Sequence, residues 1–158
     1  MTRQVNAAGL ALIQQFEGLS LTPYTDQAGN WTIGYGHKLS DGNCPDWTIE
    51  QATAALSDDL LIPESTVLRN VTIPLNDNQF SALVCFTFNV GSGNFVSSAL
   101  LKNLNAGWYS QVPAQLARWN KINVDGVLTV SAGLSRRRTA EGVLWSTPCA
   151  VGADPEAA

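Results

Sequence analysis

The sequence predicts an α+β fold that is mainly helical. Three observations carry this expectation. Apolar residues recur at helical spacing before residue 17, between 48 and 60, and through most of the chain after 75. One stretch, residues 19–39, breaks that period with Pro23, Gly29, Gly34 and Gly36 and alternates instead. The chain has 158 residues, 45% hydrophobic and 14% charged, which favours one core with room for two lobes over two independent domains.

The elements follow in order. Asn6 caps a first helix that runs to about Phe16, and Gly18 stops it. Leu10, Ile13 and Glu17 share one face of that helix, so a carboxyl stands where another leucine is usual. In NWTIGYG, Trp31, Ile33 and Tyr35 share one face and are expected in the core, with Thr32, Gly34 and Gly36 on the other. QAGN, residues 27–30, is a turn, and a hairpin around it brings Asp26 close to Trp31 and Thr32. Thr48 opens the next helix, with Gln51 in the capping-box position and Ala52, Ala55, Leu56 and Leu60 on the helical period. Pro63 is expected to break or kink it, leaving a second piece from Glu64 to about Arg69.

Asn76 caps the segment NDNQFSALVCFTFNVG, whose Phe80, Leu83, Val84 and Phe88 form a core face and which ends at Gly91. Residues 91–93, GSG, read as a turn between helices. SSALLKNLN and YSQVPAQLARWN are helical, with Pro113 tolerated near the start of the second. Asn123 to Thr129 reads as a loop or a short irregular strand. A last helix covers Ser135 to Trp145, and residues 151–158 are expected to be a flexible tail.

Composition narrows the function classes. A net charge of −4 argues against nucleic acid, which is bound through basic surface. The N-terminal stretch lacks the apolar core of a signal peptide, and no segment reaches membrane-spanning length, so synthesis in the cytoplasm without stable membrane insertion is expected. Cys44, Cys85 and Cys149 match no metal spacing. Cys85 lies in an apolar run and reads as core; Cys44 and Cys149 meet only if the fold brings the C-terminus to the first lobe. His37 is the single histidine, without the neighbours a metal site needs, and is placed at the hairpin end as a packing or hydrogen-bonding residue near the site. No metal and no cofactor are expected. The GSG turn lacks the lysine of a phosphate loop, and no nucleophile-elbow motif occurs.

Glu17 and Asp26 are the pair that suggests chemistry. A carboxyl among apolar side chains has its neutral form favoured and suits a general acid, whereas one in a polar hairpin stays ionised. Two carboxyls in such different settings suit cleavage of a glycosidic bond: one protonates the leaving oxygen, and the other works on the opposite face of the sugar. Thr32 adds a hydroxyl near Asp26 that can hold a water. The plainer reading is a helix-end glutamate and a turn aspartate with no joint role.

The literal sequence adds to this. Glu17, eight intervening residues, Asp26, five more, then Thr32 resembles the catalytic pattern of the phage-type lysozymes, the glycoside hydrolase family of the T4 enzyme. FEG before it and WTIGYGH after it match as well, as do LNDNQFSALVCFTFNVG and GLSRRRTAEGVLW further on, so the likeness covers roughly residues 6–146. The resemblance implies a T4-lysozyme-like two-lobed fold within residues 1–150: a small lobe with a β-hairpin sheet over about 12–60, a connecting helix, and a larger helical lobe over about 61–146 that includes the first helix. It implies hydrolysis of the β-1,4 bond between N-acetylmuramic acid and N-acetylglucosamine in bacterial peptidoglycan. Glu17 is then the acid, Asp26 and Thr32 hold the attacking water, and the anomeric configuration inverts. Arg137 is the arginine expected to pair with the acid, against the reading of Arg136–Arg138 as a solvated basic face. Asn89 is expected to line the site or cap its helix.

The same likeness implies a monomeric endolysin that reaches the wall through a pore made by another protein. Two departures stand out: Pro63 falls where the family has continuous helix, and the acidic balance is unusual for a wall enzyme. A lytic transglycosylase, a chitinase-like hydrolase, or a non-catalytic wall-binding relative are the alternatives.

Overall fold

The computed structural model describes residues 2–149; the tail expectation for 151–158 lies outside them. The fold is mainly helical with a small antiparallel sheet, as expected. The elements are α1 (Ala7–Glu17), β1 (Ser20–Thr25), β2 (Trp31–Gly34), β3 (His37–Lys38), α2 (Ile49–Asn70), α3 (Asp77–Val90), α4 (Ser92–Val96), α5 (Ala99–Asn105), α6 (Val112–Ala117), β4 (Lys121–Val124), β5 (Val127–Val130) and α7 (Ala132–Ser146). The chain divides into two compact units, one of residues 13–61 and one of residues up to 12 together with those from 62 onward.

In the unit of residues 13–61 the strands are ordered β1-β2-β3, all antiparallel. Thr25 faces Trp31, Tyr24 faces Thr32, and Thr32 in turn faces Lys38, with an irregularity in β1 between Ser20 and Tyr24. Ile13, Ile33, Ala52, Leu56 and Leu60 are fully or almost fully buried. Burial at that level is worth about 1.5–3 kcal/mol for each leucine or isoleucine side chain. Gly34 has a positive φ of 66°, and a Cβ there would come within 3.1 Å of the Trp47 ring, so glycine is required on both counts. Thr48 and Gln51 form the expected capping box at the start of α2: each side chain bonds the other's backbone N–H, at 3.2 and 2.8 Å.

Trp31 departs from the expectation of a core residue, being 38% exposed. It is the first residue of β2, and its ring lies over Gly42, where an added Cβ would come within 2.6 Å. One side is thus covered by the loop and the other is open. Tyr35 is half-buried, whereas Thr32 on the opposite face is buried, since β2 is the middle strand.

The other unit is built around α3. Asn76 and Gln79 form a full capping box at its start, and residues 78–87 are buried. Phe86 meets Phe95 and Trp119 edge-on, with ring centroids 6.4 and 5.5 Å apart. Cys85 is buried as expected, and all three cysteines are free thiols. The Asn6 side chain accepts the Gly9 N–H at 2.9 Å, the cap expected for α1.

Three expectations are corrected. α2 runs unbroken from Ile49 to Asn70 through Pro63. Leu56, Leu60, Pro63 and Val67 fall at helical spacing and are all buried, so the apolar stripe outweighs the single hydrogen bond that proline lacks. Residues after Gly91 form a short helix, α4, instead of a plain turn. Residues 121–130 form a regular hairpin, with Lys121 opposite Val130 and Val124 opposite Val127. Asp125 and Gly126 both have positive φ, 50° and 84°, which is the backbone of a type I′ turn.

Candidate active site

Three of the residues singled out by sequence, Glu17, Asp26 and Thr32, lie in the unit of residues 13–61. Glu17 is the last residue of α1, half-buried, with Gly18 at φ 71° turning the chain into β1. Its carboxylate rests on the backbone of Gly36, where an added Cβ would come within 3.1 Å of Oε2. Glu17 also borders an open pocket of about 300 Å³, lined further by Gly18, Leu19, Ser20 and Tyr24.

Asp26 sits where β1 enters the turn. Its Oδ1 accepts the backbone N–H of Ala28 and of Asn30, each at 2.9 Å. Its Oδ2 accepts from the Lys38 ammonium. The Lys38 bond, then the Asn30 N–H, hold the Asp26 carboxyl down at about 2, against a smaller opposing effect of burial. Asp26 is therefore an anion over the whole neutral range.

Thr32 is 1% exposed, and its hydroxyl donates to the Asn30 carbonyl at 3.0 Å. Lys38 Nζ lies 3.4 Å from the same hydroxyl oxygen. Tyr24, Thr32 and Lys38 stand opposite one another across the three strands and so leave the sheet on one face. Asp26, two residues beyond Tyr24, joins that face through its bond to Lys38. The sequence reading missed Lys38. The signal available was the third strand, whose register decides which residue follows Thr32 across the sheet.

His37 takes a supporting place. Its Nδ1 is 2.8 Å from Asp59 Oδ2, and its ring is 5.5 Å from that of Trp47, so it ties β3 to α2. Among the described residues no cluster of histidine, cysteine and carboxylate side chains has the makings of a metal site.

Arg137 and Asn89 belong to the other unit. Arg136 is exposed, whereas Arg137 and Arg138 are buried, so the three arginines are not a common solvated face. Glu141 is fully buried between the two: Arg138 Nη1 is 3.0 Å from Oε2, and Arg137 Nε is 3.5 Å from Oε1. Burial pushes the Glu141 carboxyl up to about 7, against the pull of both guanidiniums. Asn89 accepts from Arg138 Nη2, and the cap of α3 is instead the Gly91 N–H on Thr87. Glu141 was also missed, although its place three and four residues after the two arginines is the spacing of helix-face neighbours.

A carboxyl beside an open pocket and a fixed carboxylate next to a hydroxyl can serve as proton donor and water holder. Comparison with known proteins bears on this arrangement. The family model described as phage lysozyme matches residues 14–141. An endolysin of Acyrthosiphon pisum secondary endosymbiont phage 1 is 39% identical over 145 residues, covering 90% of this chain and 98% of that protein. The solved muramidase domain of SpmX from Asticaccaulis excentricus superimposes with a TM-score of 0.87 at 38% identity, over 92% of this chain and 99% of that one. The endolysin of Escherichia coli O157:H7 phage FAHEc1 gives a TM-score of 0.85 at 35% identity, over 92% and 95% of the two chains.

Proposed function

This chain belongs to the phage lysozyme family, and from that premise we propose that it is a peptidoglycan-degrading lysozyme, a glycoside hydrolase acting on bacterial cell wall. The bond cleaved is the β-1,4 link between N-acetylmuramic acid and N-acetylglucosamine. Glu17 gives its proton to the glycosidic oxygen as the bond to the anomeric carbon breaks. A water held by Asp26 and Thr32 attacks that carbon from the opposite face, its proton passes toward Asp26, and the configuration inverts. Such a route needs about 6.5–9.5 Å between the two carboxyls. The observation that carries the reading is that the Asp26 carboxylate and the buried Thr32 hydroxyl converge on one point, where the Lys38 ammonium reaches both.

We propose a supporting role for Arg137. Its burial and its contact with Glu141 favour that over a surface role. His37 and Asn89 act through Asp59 and Arg138, as positioning residues. The proposal extends to one lysozyme domain within residues 1–150 that works as a monomer without cofactor and does not bind nucleic acid. It extends also to synthesis in the host cytoplasm and release through a pore made by another protein. Among the described residues no helix is long and apolar enough to cross a membrane.

Digestion of purified peptidoglycan tests the reading. Mass spectrometry should find reducing muramic acid ends, and NMR of the fresh product should find the inverted anomer. Anhydro ends would assign the chain to the lytic transglycosylases instead. Cleavage of chitin in preference to peptidoglycan would point to a chitinase-like enzyme.

A further inference from the structure

Lys38 is not used by the mechanism above, yet it touches both groups that the mechanism gives to the water. On that mechanism, we propose that Lys38 is a latch: its ammonium holds the same two oxygens, Asp26 Oδ2 and Thr32 Oγ1, that the attacking water needs, and it leaves before hydrolysis.

Asp26 Oδ1 is already filled by two backbone donors, and Oδ2, besides the Lys38 ammonium, has only a long contact of 3.5 Å from the Asn30 side-chain amide, so Oδ2 is the oxygen with room for a water. The Thr32 hydroxyl spends its hydrogen on the Asn30 carbonyl, so its oxygen can only accept. A water bridging these two oxygens donates one hydrogen to each and keeps a lone pair for the anomeric carbon. An ammonium offers three donors and no lone pair. Lys38 Nζ reaches both oxygens, so it meets the geometric demand of the water without being a nucleophile. The position is an occupied water site.

The latch can open. The Lys38 side chain is 59% exposed, and its alkyl stem is flexible. The sheet does not depend on it, because Thr32 and Lys38 are held in register by backbone pairing. Asp26 keeps its two backbone donors when the lysine leaves. Among the described residues, Lys38 is the charged side chain bonded to Asp26; of the other titratable groups on the nearby elements of this unit, Tyr24 on β1 stands opposite Thr32 on the same face, α1 carries Glu17, β3 carries His37, and α2 carries Glu50, Asp58 and Asp59. Release also returns the Asp26 carboxyl toward its ordinary range, which makes it a better proton acceptor.

The test is steady-state hydrolysis of purified peptidoglycan from pH 4 to 8 by wild type, Lys38→Met and Lys38→Arg, with thermal melts confirming that each is folded. Lys38→Met should raise kcat at pH 7 by about two- to five-fold, the range a partly exposed ion pair represents, with KM unchanged. That gain should shrink and disappear toward pH 4, as Asp26 without its counter-charge begins to take up a proton. Lys38→Arg, which keeps charge and donors, should give no gain. An unchanged or lower kcat for Lys38→Met at pH 7 overturns the latch, and a uniform loss at every pH would make Lys38 a support of the sheet. Asp26→Asn run alongside separates the two levels: if it keeps full activity, the hydrolytic reading of Asp26 fails, and the latch fails with it.

Discussion

Replacement of Gly36 by alanine tests whether the placement of Glu17 is set by the backbone beneath it. Gly36 has a φ of 80°, and a Cβ there would lie 3.1 Å from Glu17 Oε2. Two costs follow. A left-handed backbone with a side chain costs about 1–2 kcal/mol. For a chain of this size that lowers Tm by roughly 2–8 °C. The close approach adds a second effect: the carboxylate must give by a few tenths of an ångström. A misplacement of about 1 Å costs on the order of 100-fold in rate, so a shift of this smaller size should cost roughly 5- to 20-fold in kcat. Gly126 is the control. It has nearly the same backbone strain, φ 84°, but nothing within 4 Å of its Cβ position, and it lies in the exposed β4–β5 hairpin of the other unit. Gly36→Ala and Gly126→Ala should lose similar stability in chemical denaturation, and only the first should lose activity on peptidoglycan. Equal activity of the two variants would refute the claim that Gly36 seats the acid.

Other outcomes follow from the same structure. Glu141→Ala leaves two buried guanidiniums without their shared carboxylate and should cost about 3–5 kcal/mol in urea denaturation, whereas a loss below 1 kcal/mol would mean the pair is not a structural bridge. Pro63→Ala restores a helical N–H within α2 and should stabilise by about 2 kcal/mol, after the lost rigidity of proline in the unfolded chain is deducted; a destabilised variant would show that packing by the ring matters more. Asp26 contributes to acid stability with a definite sign. Its folded carboxyl is lowered from 3.8 to about 2, so the unfolded chain takes up the proton first as pH falls. The contribution is present above pH 4 and is lost between about 4 and 2, and urea titrations over that window should be steeper for wild type than for Asp26→Asn.

Features decided by neighbouring residues were legible in the sequence. Asn6, the Thr48–Gln51 pair and Asn76 announce helix starts because a cap is a bond across three residues. Asp26 and Thr32 could be brought together because one turn sets their register. The misses have a different character. Lys38 is placed by a third strand of two residues, too short to show a period. Trp31 has the spacing of a core residue, but a loop without side-chain bulk at Gly42 covers only one side of it. Pro63 reads as a breaker because propensity is local, while the buried stripe on both sides of it is not. The hairpin at 121–130 did carry a signal, Asp125-Gly126 between β-branched residues, which a reading weighted toward helical period passes over. Arg137 came from the family likeness, and Glu141, which holds it, came only from the structure.

The central claim is that Glu17 is the acid of a peptidoglycan hydrolase. The most direct measurement is the loss of turbidity of outer-membrane-permeabilised Gram-negative cells, with wild type beside Glu17→Gln at equal concentration and confirmed fold. With Glu17 as the acid, wild type should clear rapidly and the variant should lose at least about 100-fold, the range a positioned general acid supplies. Clearing by Glu17→Gln at the wild-type rate would contradict that role.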